Sequence, residues 1–280
     1  MFSEVIIEAG RGEGHYWRDL WRYRELFYFL AWRDAVVRYK QTSVGILWAV
    51  LRPLMTTVVL SVTFSKIARL EGPPGIPYVM IVLAGMLPWT LFSNAFGNGG
   101  SSLVGNANLI SKVYFPRLIL PMGSLVAGLV EFGISLALLA VLMVCYRLPV
   151  SPRLFALPVF TAVALVAAAG PAIWLGALNV RYRDFGQVIP FLLLLGGYLS
   201  PVAYTTDLVF ANGHIPAAGK FLYALNPMVG VIDGFRWAIL GPAFRIHGLA
   251  FLLSLGVAVL VLAGGIAYFR RTEKTFADVI

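Results

Sequence analysis

Two ionisable residues stand inside long apolar stretches of this sequence, and each could do chemistry there. Glu131 lies in 118–146, a run with no other Asp, Glu, Lys or Arg, and Arg52 lies about eight residues into 44–65. A buried carboxylate invites a proton-coupled reading. Proton pathways, however, are built from several Asp, Glu or His residues, and Glu131 is alone in its run, so its expected role is a hydrogen bond to a neighbouring helix. Arg52 is expected to snorkel toward headgroups or to contact an anionic lipid phosphate. Covalent and metal chemistry have little to work with. Cys145 is the only cysteine and His15, His214 and His247 are scattered, so neither a disulfide framework nor a clustered Cys/His metal site is expected. Two glycine patterns come near to phosphate cradles and fail. Gly97 and Gly99 open a G-x-G, but residue 102 is Ser and no strand precedes it; Gly213 and Gly219 have five residues between them rather than four, and Lys220 is followed by Phe221. The chain has no P-loop of its own.

The elements that must position these residues follow from composition. Of 280 residues, 59% are hydrophobic and 12% charged, with a mean hydropathy of +0.81, against roughly 45–50% apolar and about 25% charged in a soluble domain. A soluble enzyme is excluded on that ground. Six runs are nearly charge-free: 44–65, 77–96, 118–146, 154–180, 185–206 and 246–269. Each reaches the roughly 20 residues a helix needs to cross about 30 Å of hydrocarbon, and none shows the two-residue alternation of a barrel strand. The expected fold is therefore an all-α integral membrane protein of six transmembrane helices. The net charge of +9 suits lipid-facing loops better than nucleic acid. One side of the membrane collects both termini with Lys112, Arg117, Arg181, Arg183, Arg270, Arg271, Lys274 and the seven Lys and Arg residues before Val44; the other has Lys66, Arg69, Arg147, Arg153, Lys220, Arg236 and Arg245. Both termini are thus expected in the cytoplasm. Residues 1–30 are charged throughout and hold no short apolar core, so no cleaved signal peptide is expected.

The connections add detail. Tyr16, Leu20, Tyr23, Phe27 and Leu30 recur at four- and three-residue steps opposite Arg18, Arg22 and Glu25, which predicts an amphipathic helix along the inner membrane surface. The Gly, Asn and Ser cluster after residue 97 predicts a turn or helix end, with a short helix at 109–114 stopped by Pro116. Between the fifth and sixth runs, 207–245 is long, and its apolar part, 221–241, is broken by Asn226-Pro227, Gly230, Asp233-Gly234 and Arg236. That part is expected to enter the outer leaflet and return, shielded by protein or lining a wet cavity. Asp233 and Arg236, spaced i to i+3, are positioned to pair. The chain reads as one domain over 1–280: a cytoplasmic amphipathic region 1–43, a six-helix membrane domain 44–269 and a cytoplasmic tail 270–280.

Five motifs resemble, in order, those of the permease subunits of type-2 ABC exporters that carry O-antigen, capsular or teichoic acid polysaccharide. They are Arg33-Asp34 through Trp48 with Arg52-Pro53; Asn106-Ala-Asn108 through Pro116-Arg117; Asn179-Val-Arg181-Tyr-Arg183-Asp184-Phe185; Ser200-Pro201-Val-Ala-Tyr204; and Asn226-Pro227. The resemblance implies a homodimer bound to two copies of a separate ATPase, which binds ATP and Mg while a lipid-linked polysaccharide crosses the cytoplasmic (inner) membrane. It implies no cofactor and no catalytic site on this chain, and no nucleic-acid partner. By the same resemblance Asn108, Leu109, Ile110, Lys112 and Tyr114 form one ATPase-coupling element, and Arg181, Arg183 and Asp184 belong to the second. Asn226, Pro227, Asp233 and Arg236 would form a gate at the exit.

A sugar polymer needs flat apolar faces with polar handles, which aromatic side chains supply. Trp48 and Phe64 on the first span, Trp89, Phe92 and Phe96 on the second, and Tyr198 and Tyr204 on the fifth are the expected path residues, with Trp89, Phe92 and Phe96 on one helix face. The same aromatics also suit an interfacial belt or helix packing. Two other readings are carried forward: an ABC exporter of drugs or small lipids with the same fold, and an ion-coupled secondary transporter using Glu131.

Overall fold

The computed structural model of the chain describes residues 16–40 and 45–276. The expectations for 1–15, 41–44 and 277–280, which cover the beginning of the cytoplasmic region, the entry to the first span and the end of the tail, lie outside the described residues. Among the described residues all regular structure is helical: α1 (Tyr16–Arg22), α2 (Arg24–Lys40), α3 (Gly45–Ser61), α4 (Tyr78–Gly105), α5 (Ala107–Lys112), α6 (Ile119–Cys145), α7 (Leu157–Arg181), α8 (Phe185–Leu199), α9 (Thr206–Ala211), α10 (Ala217–Ala224), α11 (Pro227–Leu240) and α12 (Gly248–Thr272).

Five helical stretches are long and apolar enough to cross a membrane: Leu47–Ile67, Tyr78–Gly105, Ile119–Cys145, Pro152–Arg181 and Gly248–Thr275. The fifth expected run, 185–206, is helical only in part. Helix α8 has 15 residues, about 22 Å at 1.5 Å per residue, and stops where Ser200 precedes Pro201, because a proline disfavours helical backbone in the residue before it. Ser200 is extended, with ψ 148°, and the chain runs on as a buried, non-helical segment through Ala203.

Of the turn or helix end expected after residue 97, the structure shows the helix end, at Gly105 with Asn106 as its cap. Helix α4 runs unbroken to Gly105, and the short helix after it is Ala107–Lys112 rather than 109–114. Gly99 and Gly100 are places where backbones meet. A Cβ on Gly99 would stand 2.9 Å from the Ala172 Cβ, and one on Gly176 would stand 3.4 Å from the Gly99 and Gly100 carbonyl oxygens. Asn179 Nδ2 also donates to the Gly100 carbonyl at 3.4 Å. The same residue types that signal turns in water let helices approach closely in lipid, where packing rather than hydrophobicity drives association. These contacts join the C-terminal halves of α4 and α7, so the two helices run parallel and end side by side.

The rest of the body assembles around that pair. Gly128 of α6 lies against Leu91 and Ala95 of α4, and Gly170 of α7 lies against Val261 and Leu262 of α12. Helix α11 lies across the Tyr78 end of the body: Phe160 of α7 fills the space beside Gly234, and Phe251 of α12 closes on Gly230. Helix α2 runs over α6, with the Ala31 backbone against Gly123. The expected stripe from Tyr16 to Leu30 faces protein: Tyr16 and Leu30 are buried, and Leu20, Tyr23 and Phe27 pack on the core. The exposed aromatics are instead Trp17, Trp21, Tyr28, Phe29 and Trp32, of which all but Phe29 recur at four-, seven- and four-residue steps on a second face.

A Cβ on Gly170 would sit 2.8 Å from the Leu262 amide nitrogen and 2.9 Å from the Val261 carbonyl carbon, so Gly170→Ala must spread α7 from α12. We expect about 1–3 kcal/mol of lost stability, the cost of overpacking, against no loss for Gly256→Ala, whose Cβ meets nothing within 4 Å. Unfolding of both variants in lipid bicelles checks this.

Candidate functional site

At the Tyr78 end, one buried cation organises the structure. Arg236, 1% exposed, donates from Nε to the Ile81 carbonyl at 3.2 Å, from Nη1 to the Tyr204 carbonyl at 2.7 Å and from Nη2 to the Val202 carbonyl at 2.9 Å. It thereby joins α11, the first turn of α4 and the non-helical segment after α8. The Tyr78 hydroxyl adds a bond to the Ala203 carbonyl at 2.6 Å. Gly85 makes room for this contact, since a Cβ there would lie 2.7 Å from both Arg236 Nη2 and the Val202 oxygen.

Asp233 and Arg236 do not use each other as partners. Three residues apart on a helix, their side chains diverge by about 60° and reach different seams. Asp233, 5% exposed, accepts from the Thr206 hydroxyl at 2.7 Å and faces His247 Nδ1 at 3.0 Å, while His247 Nε2 faces Asp207 at 3.1 Å. Asn226 and Pro227 start α11 as sequence logic dictates: the Asn226 side chain accepts from the Met228 N–H at 2.9 Å, and proline takes the first helical position. Asn226 Nδ2 also donates to Ser200 Oγ at 3.0 Å, and the Ser254 hydroxyl donates to the Asn226 carbonyl at 2.8 Å. The four residues expected to act together here do belong to one end of the molecule, each tied to a different neighbour. Thr206, Asp207 and His247 were missed; the available signal was that they are polar groups flanking apolar helices on a side poor in acids.

At the other end, α4 and α7 deliver their C-termini together. Of the first expected coupling set, Asn108, Lys112 and Tyr114 are exposed, Leu109 is half-buried and Ile110 is buried. In the second, Arg181, Arg183 and Asp184 are all exposed, with the Arg181 guanidinium 5.3 Å from the Tyr182 ring. A clasp assigned no role in the sequence reading holds this corner. Arg33 of α2 donates to Asp34 Oδ1 at 2.8 Å and to Asn106 Oδ1 at 2.8 Å, and Asn106 Nδ2 caps α4 by donating to the Ser102 carbonyl at 2.8 Å. Ser124 of α6 reaches Asp34 Oδ2 at 3.4 Å. A second knot joins the chain's two described ends. The Tyr16 hydroxyl donates to Glu273 at 3.0 Å, Arg117 donates to the Glu273 carbonyl, and the Arg270 guanidinium lies over the Tyr16 ring at 5.1 Å.

The expected aromatic face of α4 forms a ladder, Trp89 to Phe92 at 5.3 Å and Phe92 to Phe96 at 5.9 Å. It is closed over: Phe92 and Phe96 are buried, and Trp89 lies on Gly196 and Gly197 of α8. Trp48 and Tyr198 are exposed, Phe64 is half-buried, and the Tyr204 hydroxyl donates to the Tyr198 carbonyl at 3.2 Å. Arg52 is exposed on α3. Glu131 accepts from Asn94 Nδ2 on α4, the interhelical bond expected of it.

This arrangement of long apolar helices, with polar linkages at both ends and no strand among the described residues, belongs to a multi-pass membrane protein. Residues 25–240 match the ABC-2 type transporter family, and the chain belongs to that family. It is 30% identical over 264 residues to the O-antigen export system permease protein RfbA of Myxococcus xanthus, covering 94% of this chain and 98% of that protein. It is 23% identical to a protein of the same name from Klebsiella pneumoniae, over 89% of this chain and 92% of the relative. The polysialic acid transport protein KpsM of Escherichia coli is 22% identical over 86% of this chain and 91% of its own length.

Gly85→Ala should push the Arg236 guanidinium off the Val202 carbonyl and lower stability by about 1–3 kcal/mol, with increased amide exchange confined to 200–206 and 227–240. Exchange mass spectrometry with a parallel unfolding curve measures both.

Proposed function

We propose that this chain is the membrane-spanning permease subunit of an ATP-driven exporter of lipid-linked polysaccharide, O-antigen first, with capsular or teichoic acid polymers as its close alternatives. The observation that carries this reading is the end-to-end similarity to the O-antigen permease of M. xanthus, 98% of whose length is covered. In this reading two copies of the chain form the path and two copies of a separate ATPase bind ATP and Mg in the cytoplasm. The chain sits in the inner membrane with both termini cytoplasmic, as the distribution of Lys and Arg favours.

The Arg33 end then faces the ATPase. Asn108, Lys112 and Tyr114 on one loop and Arg181, Arg183 and Asp184 on the other are exposed at that end, while Leu109 and Ile110 anchor the first loop to the body. The parallel α4–α7 pair supports the coupling reading, since a rigid helix transmits displacement along its axis. Helices α1 and α2 rest on the inner membrane surface through Trp17, Trp21, Tyr28 and Trp32, side chains suited to the headgroup layer. Arg52 reaches the same layer by snorkelling.

At the outer side, α8 with the segment after it counts as the fifth of six passes, and α9 to α11 form the re-entrant exit gate built on Asn226, Pro227, Asp233 and Arg236. Trp48, Phe64, Tyr198 and Tyr204 offer surfaces for sugar rings. Trp89, Phe92 and Phe96 would join them only when α8 withdraws from Trp89, which makes α8 the moving wall of the path.

Purification of the tagged chain from its native membrane, with identification of associated subunits and an ATPase assay, tests the reading together with surface polysaccharide after depletion. We expect a P-loop ATPase in equal stoichiometry and loss of the polymer. An ATPase partner with unchanged polysaccharide would indicate a drug or small-lipid cargo; recovery of the chain alone, without nucleotide-dependent activity, would turn attention to Glu131 and ion coupling.

A further inference from the structure

His247 lies at the N-cap of α12, just outside the membrane-crossing stretch, and both of its ring nitrogens face carboxylates. Nδ1 is 3.0 Å from Asp233 Oδ2 and Nε2 is 3.1 Å from Asp207 Oδ1. Ionised carboxylates only accept hydrogen bonds, and a neutral imidazole has one N–H and one lone pair. A neutral ring would therefore satisfy one partner and turn its lone pair toward the other, whereas the imidazolium donates to both. The two carboxylates differ in a way that decides which bond fails first. The Asp233 side chain is 7% exposed and that of Asp207 is 60% exposed, so Asp233 needs its protein donor and Asp207 can take water instead.

We propose that His247 is a proton-operated latch: as the imidazolium it ties Asp207 of α9 to Asp233 of α11, beside the bond from the Thr206 hydroxyl to Asp233, and loss of its proton releases Asp207 and leaves α9 pivoting on Thr206. On deprotonation the remaining N–H stays with Asp233 at Nδ1, and Nε2, now a lone pair, repels the Asp207 carboxylate. The hydrogen bond to Asp233, with the charges of Asp233 and Asp207, raises the His247 pKa above its ordinary 6.5 despite partial burial. The sign follows from linkage. A folded-state pKa raised above the unfolded value makes the latch's contribution complete below about 6.5 and removes it as pH rises through the higher folded value.

The other groups around the ring leave it in control. The Phe210 ring of α9 lies 5.0 Å from the imidazole and 6.0 Å from the Tyr223 ring of α10. Lys220 of α10 is held on the Phe210 carbonyl at 2.6 Å, and the Arg236 guanidinium is committed to three carbonyls, one of them that of Tyr204. Arg245, two residues before His247, is exposed. The latch rests on this geometry alone; that it acts on an exit gate rests on the function proposed above, and the test below reads the latch without export.

A nitroxide on Leu208→Cys, an exposed position beside Asp207, in a Cys145→Ser background, reports the freedom of this part of α9 in the protein with its co-purified subunits in lipid nanodiscs. Between about pH 5.5 and 9, the range that brackets histidine titration, the mobile fraction of the spectrum should rise with a midpoint above 6.5. The transition should vanish in His247→Gln. In Asp207→Ala, a truncation at an exposed side chain, the label should be mobile already at pH 6. An unchanged spectrum across the range in the otherwise native protein would overturn the latch, as would the same transition persisting in His247→Gln.

Discussion

Hydrocarbon gives a backbone carbonyl nothing to bond to, so every non-helical stretch inside a membrane protein must find its donors in protein or in a wet cavity. The segment after α8 is such a stretch, and Arg236 is its chief donor. A single guanidinium has five N–H groups in a fixed fork, which lets it serve the Ile81, Val202 and Tyr204 carbonyls at once. The buried charge and the unpaired carbonyls would each be costly alone, and each removes the other's penalty. The short length of α8, the place of α11 across the end of the body and the glycine at position 85 all depend on that arrangement.

Helix α4 carries the consequence to the far end. Its 28 residues, about 42 Å of rise, begin beside Arg236 and finish at the Asn106 cap held by Arg33. Along the way small residues keep it in backbone contact with α7, so neither helix can shift alone. In the proposed exporter this makes α4 and α7 one rigid strut between the ATPase-facing corner and the exit. The mobile parts are then the elements held by few contacts: α8 on Trp89, α9 on His247 and the exposed loop of Asn108, Lys112 and Tyr114.

The sequence was most legible where a single physical rule acts. Long apolar runs required helices, Asn226-Pro227 required a helix start, and Glu131 within an apolar run required an interhelical partner, which is Asn94. Legibility failed where one residue type serves two rules. The Gly, Asn and Ser cluster after residue 97 read as a turn or helix end by aqueous propensity; the helix end comes only at Gly105, because Gly99 and Gly100 pack within α4. The Tyr16 to Leu30 stripe was expected along the inner membrane surface and packs on the protein core, while the tryptophans on the adjacent face are exposed; periodicity finds an apolar face without saying what covers it. The spacing of Asp233 and Arg236 fitted an ion pair, yet backbone carbonyls and His247 compete for them, and those competitors come from elements distant in sequence. The Arg33–Asn106 clasp spans 73 positions and leaves no local signature.

The central claim is that the Arg236 fork holds α11, α4 and the segment after α8 together. Reversible unfolding of Arg236→Met and Arg236→Lys in bicelles measures it most directly. Methionine leaves the non-helical Val202 and Tyr204 carbonyls without this donor, and lysine, a point donor, cannot span the three acceptors. Both variants should lose about 3 kcal/mol or more, with amide exchange rising in 200–206 and 227–240 before the rest of the body. Near-native stability of Arg236→Met, with unchanged exchange in those segments, would contradict the account.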